Sequence, residues 1–252
     1  MIMLRKNFKI LAKENLTRDI VQMDLRCSDS DCPAVVPGQF INIALDGFYL
    51  RRPISICDSD GDRLRIVFKV VGNGTAFLME RPCGSDLDVL FPLGNGFDIS
   101  ANGGCPVLIG GGAGVPPLFL LARRLLETIE KVNVVLGFNS KKEIILAEDF
   151  RRIGCEVTIA TVDGSEGVKG FVTDALRSMK ANDTFSYFYA CGPRPMLQAL
   201  SQELNIPGEV SMEERMGCGF GACMGCTCST SQGPRQVCTD GPVFKKEVIF
   251  FE

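Results

Sequence analysis

Four cysteines stand within the eleven residues 218–228 of the stretch MGCGFGACMGCTCS (216–229), and Cys238 follows ten residues later. Glycines at 217, 219, 221 and 225 alternate with them. Such a segment suits a loop whose backbone N–H groups turn inward toward whatever the sulfurs hold, because glycine carries no side chain to obstruct them. The spacing is Cys218-x4-Cys223-x2-Cys226, with Cys238 after eleven more residues. C-x4-C-x2-C…C is the plant-type [2Fe-2S] pattern, distinct from the tighter run of four-iron ferredoxins. A four-thiolate zinc site is the alternative, but zinc usually takes pairs of C-x2-C knuckles and only one such pair is present. Cys228 falls on a position the pattern does not use and is expected to be a bystander or a thiol that supports the ligands rather than a ligand.

The chain has no histidine. That removes Ser-His-Asp and Cys-His catalysis, imidazole-ligated zinc and Rieske-type clusters, so any metal in the cysteine loop is held by sulfur alone. The other seven cysteines (27, 32, 57, 83, 105, 155 and 191) are isolated. Most are expected to be reduced, buried thiols of a cytoplasmic protein, since residues 1–14 carry charges from position 5 onward and no apolar signal core. A net charge of -3 argues against nucleic-acid binding. Residues 99–122 hold no charged side chain, but Gly110-Gly111-Gly112, Gly114 and Pro116-Pro117 would break a membrane helix in its middle. No membrane span is expected.

The chain reads as a multi-module protein with three zones. Residues 1–98 show short alternating segments (6–12, 20–26, 39–45, 63–71 and 86–90) separated by Pro-Gly, Asp-Gly and Gly-Asn-Gly turns, which predicts an N-terminal antiparallel β-barrel or sandwich. Residues 99–208 alternate continuous apolar strands (CPVLIG, VNVVLGF, CEVTIATV, FSYFYACG) with helical stretches at 117–130, 146–152, 172–180 and 193–204. That rhythm predicts a central α/β, Rossmann-like parallel sheet. Residues 209–252 form the cysteine-rich C-terminal loop module, ending in an apolar strand, EVIFFE.

VLIGGGAGVPPLFLLARRLLE (107–127) is a strand, a glycine turn and a helix with proline in its first turn. Gly110, Gly111, Gly112, Ala113 and Gly114 would let a dinucleotide pyrophosphate approach the backbone at the helix N-terminus. Cys191-Gly192 stands at another strand-to-helix turn, on the side of the sheet where ligands collect. Nicotinamide gives up its electrons as a hydride, whereas a [2Fe-2S] cluster takes one at a time. A converter is therefore needed, and a flavin is one. Its expected seats in the N-terminal zone are LRRPISICD (50–58), where an arginine can meet a phosphate and a small hydroxyl a ring, and the Gly74-Thr75 helix start of FKVVGNGTAFLMERP (68–82).

The order of RRPIS, GNGT, GGGAGVPP, CGPRPM and MEERMGCGFGACMGCTC resembles the ferredoxin reductase-like flavoproteins, and among them the electron transfer subunits of dihydroorotate dehydrogenase B. The resemblance spans essentially the whole chain. It implies a barrel that holds FAD, a middle domain that receives NAD(H), and a C-terminal [2Fe-2S] cluster. It further implies a partner, the FMN-containing catalytic subunit that oxidises dihydroorotate in pyrimidine synthesis, in a heterotetramer of two plus two. Arg52, Pro53, Ile54 and Ser55 would contact FAD, Arg52 at the pyrophosphate and Ser55 at the ring edge. Val67, Phe68 and Lys69 would run along it, with Gly74 and Thr75 at its phosphates. Gly110 to Gly114 would face the NAD pyrophosphate, with Cys191 and Gly192 near the nicotinamide; Cys218, Cys223, Cys226 and Cys238 would hold the cluster. Ile54 departs from the aromatic residue common there in the wider superfamily. The same modules also occur in NAD(P)H-ferredoxin or sulfide reductases and hydrogenase diaphorase subunits, which are the rival reading; a zinc-stapled protein without a redox role is the other. After the second α/β strand, GFNSKKE (137–143) has no acid immediately at the strand end. Ser140, Lys141 and Lys142 would even suit a 2′-phosphate, so the choice between NAD and NADP stays open at this point.

Overall fold

The computed structural model describes residues 3–29, 31–179 and 185–251. The first module is built from β1 (Leu4–Asn15), β2 (Ile20–Cys27), β3 (Phe40–Ile43), β4 (Arg52–Asp60), β5 (Arg63–Lys69), helix α1 (Asn73–Glu80) and β6 (Asp86–Leu93). The strands close into an antiparallel barrel in the order β1-β2-β5-β4-β3-β6. Period-two alternation decides which side chains enter it: Met23 and Leu25 of β2 register against Ile66 and Leu64 of β5, and all four are buried. Phe8, Ile41, Ile43, Ile56, Val89 and Phe91 complete that interior, and α1 closes it with Leu78. Each of these side chains contributes roughly 1.5–3 kcal/mol on burial.

The second module runs β7 (Pro106–Gly111), α2 (Pro117–Leu126), β8 (Asn133–Phe138), α3 (Ala147–Arg152), β9 (Glu156–Thr161), β10 (Val168–Lys169), α4 (Val172–Met179), β11 (Tyr187–Cys191), α5 (Arg194–Glu203) and β12 (Gly208–Ser211). The expected last residue of the 172–180 helix, Lys180, lies outside the described residues. The cysteine zone adds β13 (Thr227–Cys228), β14 (Arg235–Gln236) and β15 (Val243–Lys245). The large sheet has the order β10-β9-β8-β7-β11-β12-β15, parallel except for the β12–β15 pair. Succession runs outward in one direction from β7 and in the other from β11, so the topological switch point lies between these two strands.

EVIFFE does not form the expected strand. Its described part makes a single bridge, Ile249 to Thr230, while Phe250 stays exposed. The free edge of β12 is taken instead by Val243–Lys245, whose Val243 and Phe244 reach the core. The expected burial of the isolated thiols holds for Cys27, Cys57 and Cys155; Cys32, Cys105 and Cys191 are half-buried and Cys83 is exposed.

The modules are packed together. Leu120 of α2 enters the barrel interior, and outward-facing Ile20, Cys57 and Val67 of the barrel join the cluster around Leu118 and Leu121. Arg123 pairs with Asp58 across the same seam. Cys226, Cys228, Val237 and Cys238 of the C-terminal module share a core with Phe40, Leu90 and Leu93 of the barrel and Leu197 and Leu200 of α5. Asn95 fastens the chain between barrel and sheet to the end of that module, donating to the carbonyls of Asp240 and Val243 at 3.0 and 2.9 Å.

Candidate functional site

On β4 the alternation sends Arg52, Ile54 and Ile56 to one side and Pro53 and Ser55 to the other. Ile54 is half-buried and packs against the barrel cluster. Pro53 and Ser55 pair with Asn42 and Phe40 of β3 and share the face turned toward the cysteine module. The Arg52 guanidinium lies 4.9 Å from the Phe48 ring centre, which in turn contacts Phe77 at 5.6 Å. It also lies against the first turn of α1, where Gly74 leaves room for it. A fixed cation and the unpaired N–H groups of a helix N-terminus thus point into one place, a seat for a phosphate.

Thr75 serves that seat indirectly. Its hydroxyl accepts from the N–H groups of Val71 and Gly72 at 3.0 and 3.2 Å and donates to the Gly72 carbonyl at 3.0 Å, which fixes the start of the helix. On β5, Phe68 is turned into the barrel, Val67 packs on the second module, and Lys69 pairs with Asp19 at 3.2 Å.

At the switch point the two glycine turns cross. A Cβ on Gly114 would meet the Cys191 carbonyl carbon and the Gly192 nitrogen at 2.5 Å, both backbone atoms that cannot yield. A Cβ on Gly111 would meet Met196 Sδ at 2.6 Å, and one on Gly110 would meet Val115 at 2.9 Å. These glycines allow strand, turn and helix to approach; Gly112, at φ +50°, has open space above it and Ala113 is exposed. Cys191 ends β11, and burial, partly offset by a hydrogen bond with Ser211, pushes its thiol up to about 12. A thiol held so high carries little thiolate near neutral pH.

Beside the crossing lies a cavity of about 410 Å³, lined by Gly111, Gly112, Phe138, Asn139, Glu143 and Phe171 among others. Gly110, Ala113, Gly114, Cys191 and Gly192 do not line it. Its size and largely apolar lining, with a few polar groups such as Asn139 and Glu143, suit a nucleotide. Asn139 and Glu143 were missed from the sequence. The carboxylate is displaced from the end of β8 by the turn of Lys141–Glu143, and returns to accept from Asn139 Nδ2 at 2.8 Å. Lys141 is held away by Glu166 at 2.9 Å. The only sequence signal was an acid six residues after Gly137.

In the cysteine loop, N–H groups of Phe220 and Ala222 donate to Cys218 Sγ at 3.5 and 3.2 Å, and those of Cys218 and Gly225 donate to Cys223 Sγ at 3.4 Å. Against its own desolvation, the Phe220 amide, a hydrogen bond with the Cys223 side chain and the amides of Cys223 and Ala222 lower Cys218 to about 7. Gly219 and Gly221 adopt φ of +79° and +93°, the left-handed turns that bring the amides inward. Cys238 N–H donates to Cys226 Sγ at 3.4 Å, and burial with the Cys226 hydrogen bond pushes Cys238 up to about 12, a proton that metal binding must displace. Among the described residues no three ligating side chains close on one point as a ready single-ion cage. The sulfurs form two pairs, 218 with 223 and 226 with 238. Two irons that each take two thiolates would use the sulfurs in these pairs. Cys228 sits in β13, buried in the core, and opposes Arg235.

A closed barrel with a phosphate seat, a nucleotide-binding parallel sheet and a cysteine loop define a ferredoxin reductase-like oxidoreductase that carries an iron–sulfur module. Residues 213–249 match the iron-sulfur cluster binding domain of dihydroorotate dehydrogenase B, and residues 108–202 match the oxidoreductase NAD-binding domain. The dihydroorotate dehydrogenase B (NAD(+)) electron transfer subunit of Fusobacterium nucleatum subsp. nucleatum is 43% identical over 219 residues, 82% of this chain and 84% of that protein. The subunit of the same name from Bacillus pumilus is 45% identical over 224 residues, 84% of this chain and 85% of that one. The chain belongs to the family of dihydroorotate dehydrogenase B electron transfer subunits. A chain from the structure of an NADH-dependent reduced ferredoxin-NADP oxidoreductase is also similar, with a TM-score of 0.86 and 32% identity over 95% of this chain and 88% of that one. The lower identity to that protein disfavours the ferredoxin reductase alternative.

Proposed function

We propose that the protein passes electrons from the FMN of a dihydroorotate-oxidising catalytic subunit through a [2Fe-2S] cluster and FAD to NAD+, in pyrimidine synthesis in the cytoplasm. The working assembly is a heterotetramer of two chains of each kind. The flavin supplies the conversion between hydride and single-electron chemistry. Arg52 and the start of α1 hold its pyrophosphate; Pro53 and Ser55 carry its ring on the outer face of β4, whereas Phe68 inside the barrel and Val67 against the second module support the strands rather than touch it. Gly111 and Gly112 admit the NAD pyrophosphate, while Cys191 and Gly192 form the wall at the nicotinamide. Cys218, Cys223, Cys226 and Cys238 hold the cluster, and exposed Cys223, Phe220 and Met224 form the face turned to the catalytic subunit.

The observation that carries this reading is the direct contact of barrel and cysteine loop, Asn42 Nδ2 to the Cys218 carbonyl at 2.9 Å. Asn42 pairs with Pro53 in the ladder, so the flavin strand and the cluster loop are one side chain apart. Among the described residues no helix is long and apolar enough to cross a membrane. The test is reconstitution with an FMN-containing dihydroorotate dehydrogenase subunit. Dihydroorotate-dependent NAD+ reduction is expected only with both chains present, and NADH oxidation by artificial acceptors with this chain alone. A colourless chain after anaerobic reconstitution would overturn the reading.

A further inference from the structure

Asn42 is 1% exposed on β3, and its two side-chain atoms are treated unequally. Nδ2 donates to the Cys218 carbonyl; Oδ1 is buried with no partner among the described residues. The orientation is forced, because a carbonyl can only accept. A buried acceptor left unpaired is destabilising, so this amide weakens the barrel unless the bond to the loop offsets it. The neighbours fix the strand beneath it: Arg51 Nη1 donates to the Asn42 carbonyl at 3.2 Å and Arg51 Nη2 to Asp88 at 2.9 Å. On the loop side, Gly219 follows Cys218 at φ +79°, and a Cβ there would collide with Asn42 Nδ2. A rigid strand, one amide and a side-chain-free turn therefore set how closely the Cys218 end of the loop sits to Pro53 and Ser55.

We infer that Asn42 is a positioning residue for electron exchange between the flavin and the cluster, acting through the Cys218 carbonyl. The inference rests on the cofactor assignment above. The bound flavin would give one electron and the cluster would take it; no bond to Asn42 would form or break. Its part is to hold distance and orientation and to keep the Cys218 sulfur in its hydrogen-bonded pose.

The test compares the reconstituted wild-type chain with Asn42→Leu, which removes both polar atoms, and Asn42→Asp, similar in shape but without the donor. Stopped-flow mixing with NADH separates flavin reduction from cluster reduction. The cluster phase is expected to slow about tenfold or more in both variants, the scale of outer-shell partners of metal ligands, while flavin reduction keeps its rate. The electron paramagnetic resonance spectrum of chemically reduced protein is expected to shift or broaden in both. Asn42→Leu is expected to melt no lower than wild type before reconstitution, which separates positioning from folding. Unchanged cluster rate and spectrum in both variants, with normal wild-type signals, would overturn the role of Asn42 alone. A wild type lacking flavin or cluster signals would instead overturn the cofactor assignment.

Discussion

The guanidinium of Arg52 fills the space that a side chain at position 74 would need: a Cβ on Gly74 would stand 2.5 Å from Arg52 Cζ. The obstacle is the tip of a flexible side chain rather than backbone. Gly74→Ala should therefore fold, at the expense of pushing the arginine off the helix start. FAD affinity is expected to fall about tenfold or more, as for loss of a charge-assisted hydrogen bond of roughly 1.5–3 kcal/mol. Arg52→Gln should do the same without touching the helix. Fluorescence titration of FAD into apoprotein measures both; an unchanged affinity would separate Arg52 from the pyrophosphate.

Glu143 brings a negative charge into the nucleotide cavity, tied to Asn139, while Lys141 is occupied by Glu166. A carboxylate there can accept from a ribose 2′-hydroxyl and repels a 2′-phosphate. Glu143→Gln is expected to lower the preference for NADH over NADPH by about tenfold, or 1.4 kcal/mol. Comparing kcat/KM for the two nucleotides with an artificial acceptor checks this. An unaltered ratio would move the discrimination elsewhere.

In the proposed assignment the five clustered cysteines divide four to one. Serine at 218, 223, 226 or 238 should abolish or distort the [2Fe-2S] spectrum, since each removes one thiolate of a pair. Cys228→Ser should keep it, losing only about 1 kcal/mol or somewhat more of stability by placing a hydroxyl in a core of Leu197, Leu200 and Val237. Iron content and the low-temperature resonance spectrum decide the matter. A lost spectrum in Cys228→Ser would make that thiol a ligand.

The parts of this molecule that local chemistry dictates were legible in its sequence. Alternation in RLRIVFKV places Leu64, Ile66 and Phe68 inside the barrel, and continuous apolar runs produce the parallel strands. The cysteine spacing sets Cys228 apart as an expectation, and the structure buries it in β13 opposite Arg235. Long-range relationships were not legible. Nothing local to Val243–Lys245 says that the edge of β12 is free to receive it, so the more apolar EVIFFE drew the strand expectation. Glu143 escaped notice because a one-turn excursion separates it from the strand end it serves. Asn42, an amide between two isoleucines, acquires meaning only where the loop from 176 residues away comes to rest on it.

Glu209 supplies a prediction about stability and pH. It lies on β12, 6% exposed, and accepts from the Asp98 N–H at 2.9 Å; Tyr189 donates to the Asp98 carbonyl at 2.7 Å. Together they hold the segment that joins barrel to sheet. Burial lifts the Glu209 carboxyl above the ordinary glutamate range, with the Asp98 N–H opposing, the Asp98 charge adding and Lys245 opposing. A carboxyl whose folded pKa exceeds its unfolded value binds the proton more tightly when folded, so stability falls as pH rises between the two values. The cost is fully present above the folded pKa and absent below the unfolded value of about 4.3. Glu209→Gln keeps an acceptor for Asp98 and removes the charge. Its melting temperature should exceed that of wild type at neutral pH, with the advantage shrinking to nothing as pH is lowered through that range. Thermal melts across a pH series test this, and an advantage that grew on acidification would show that the buried charge stabilises the joint.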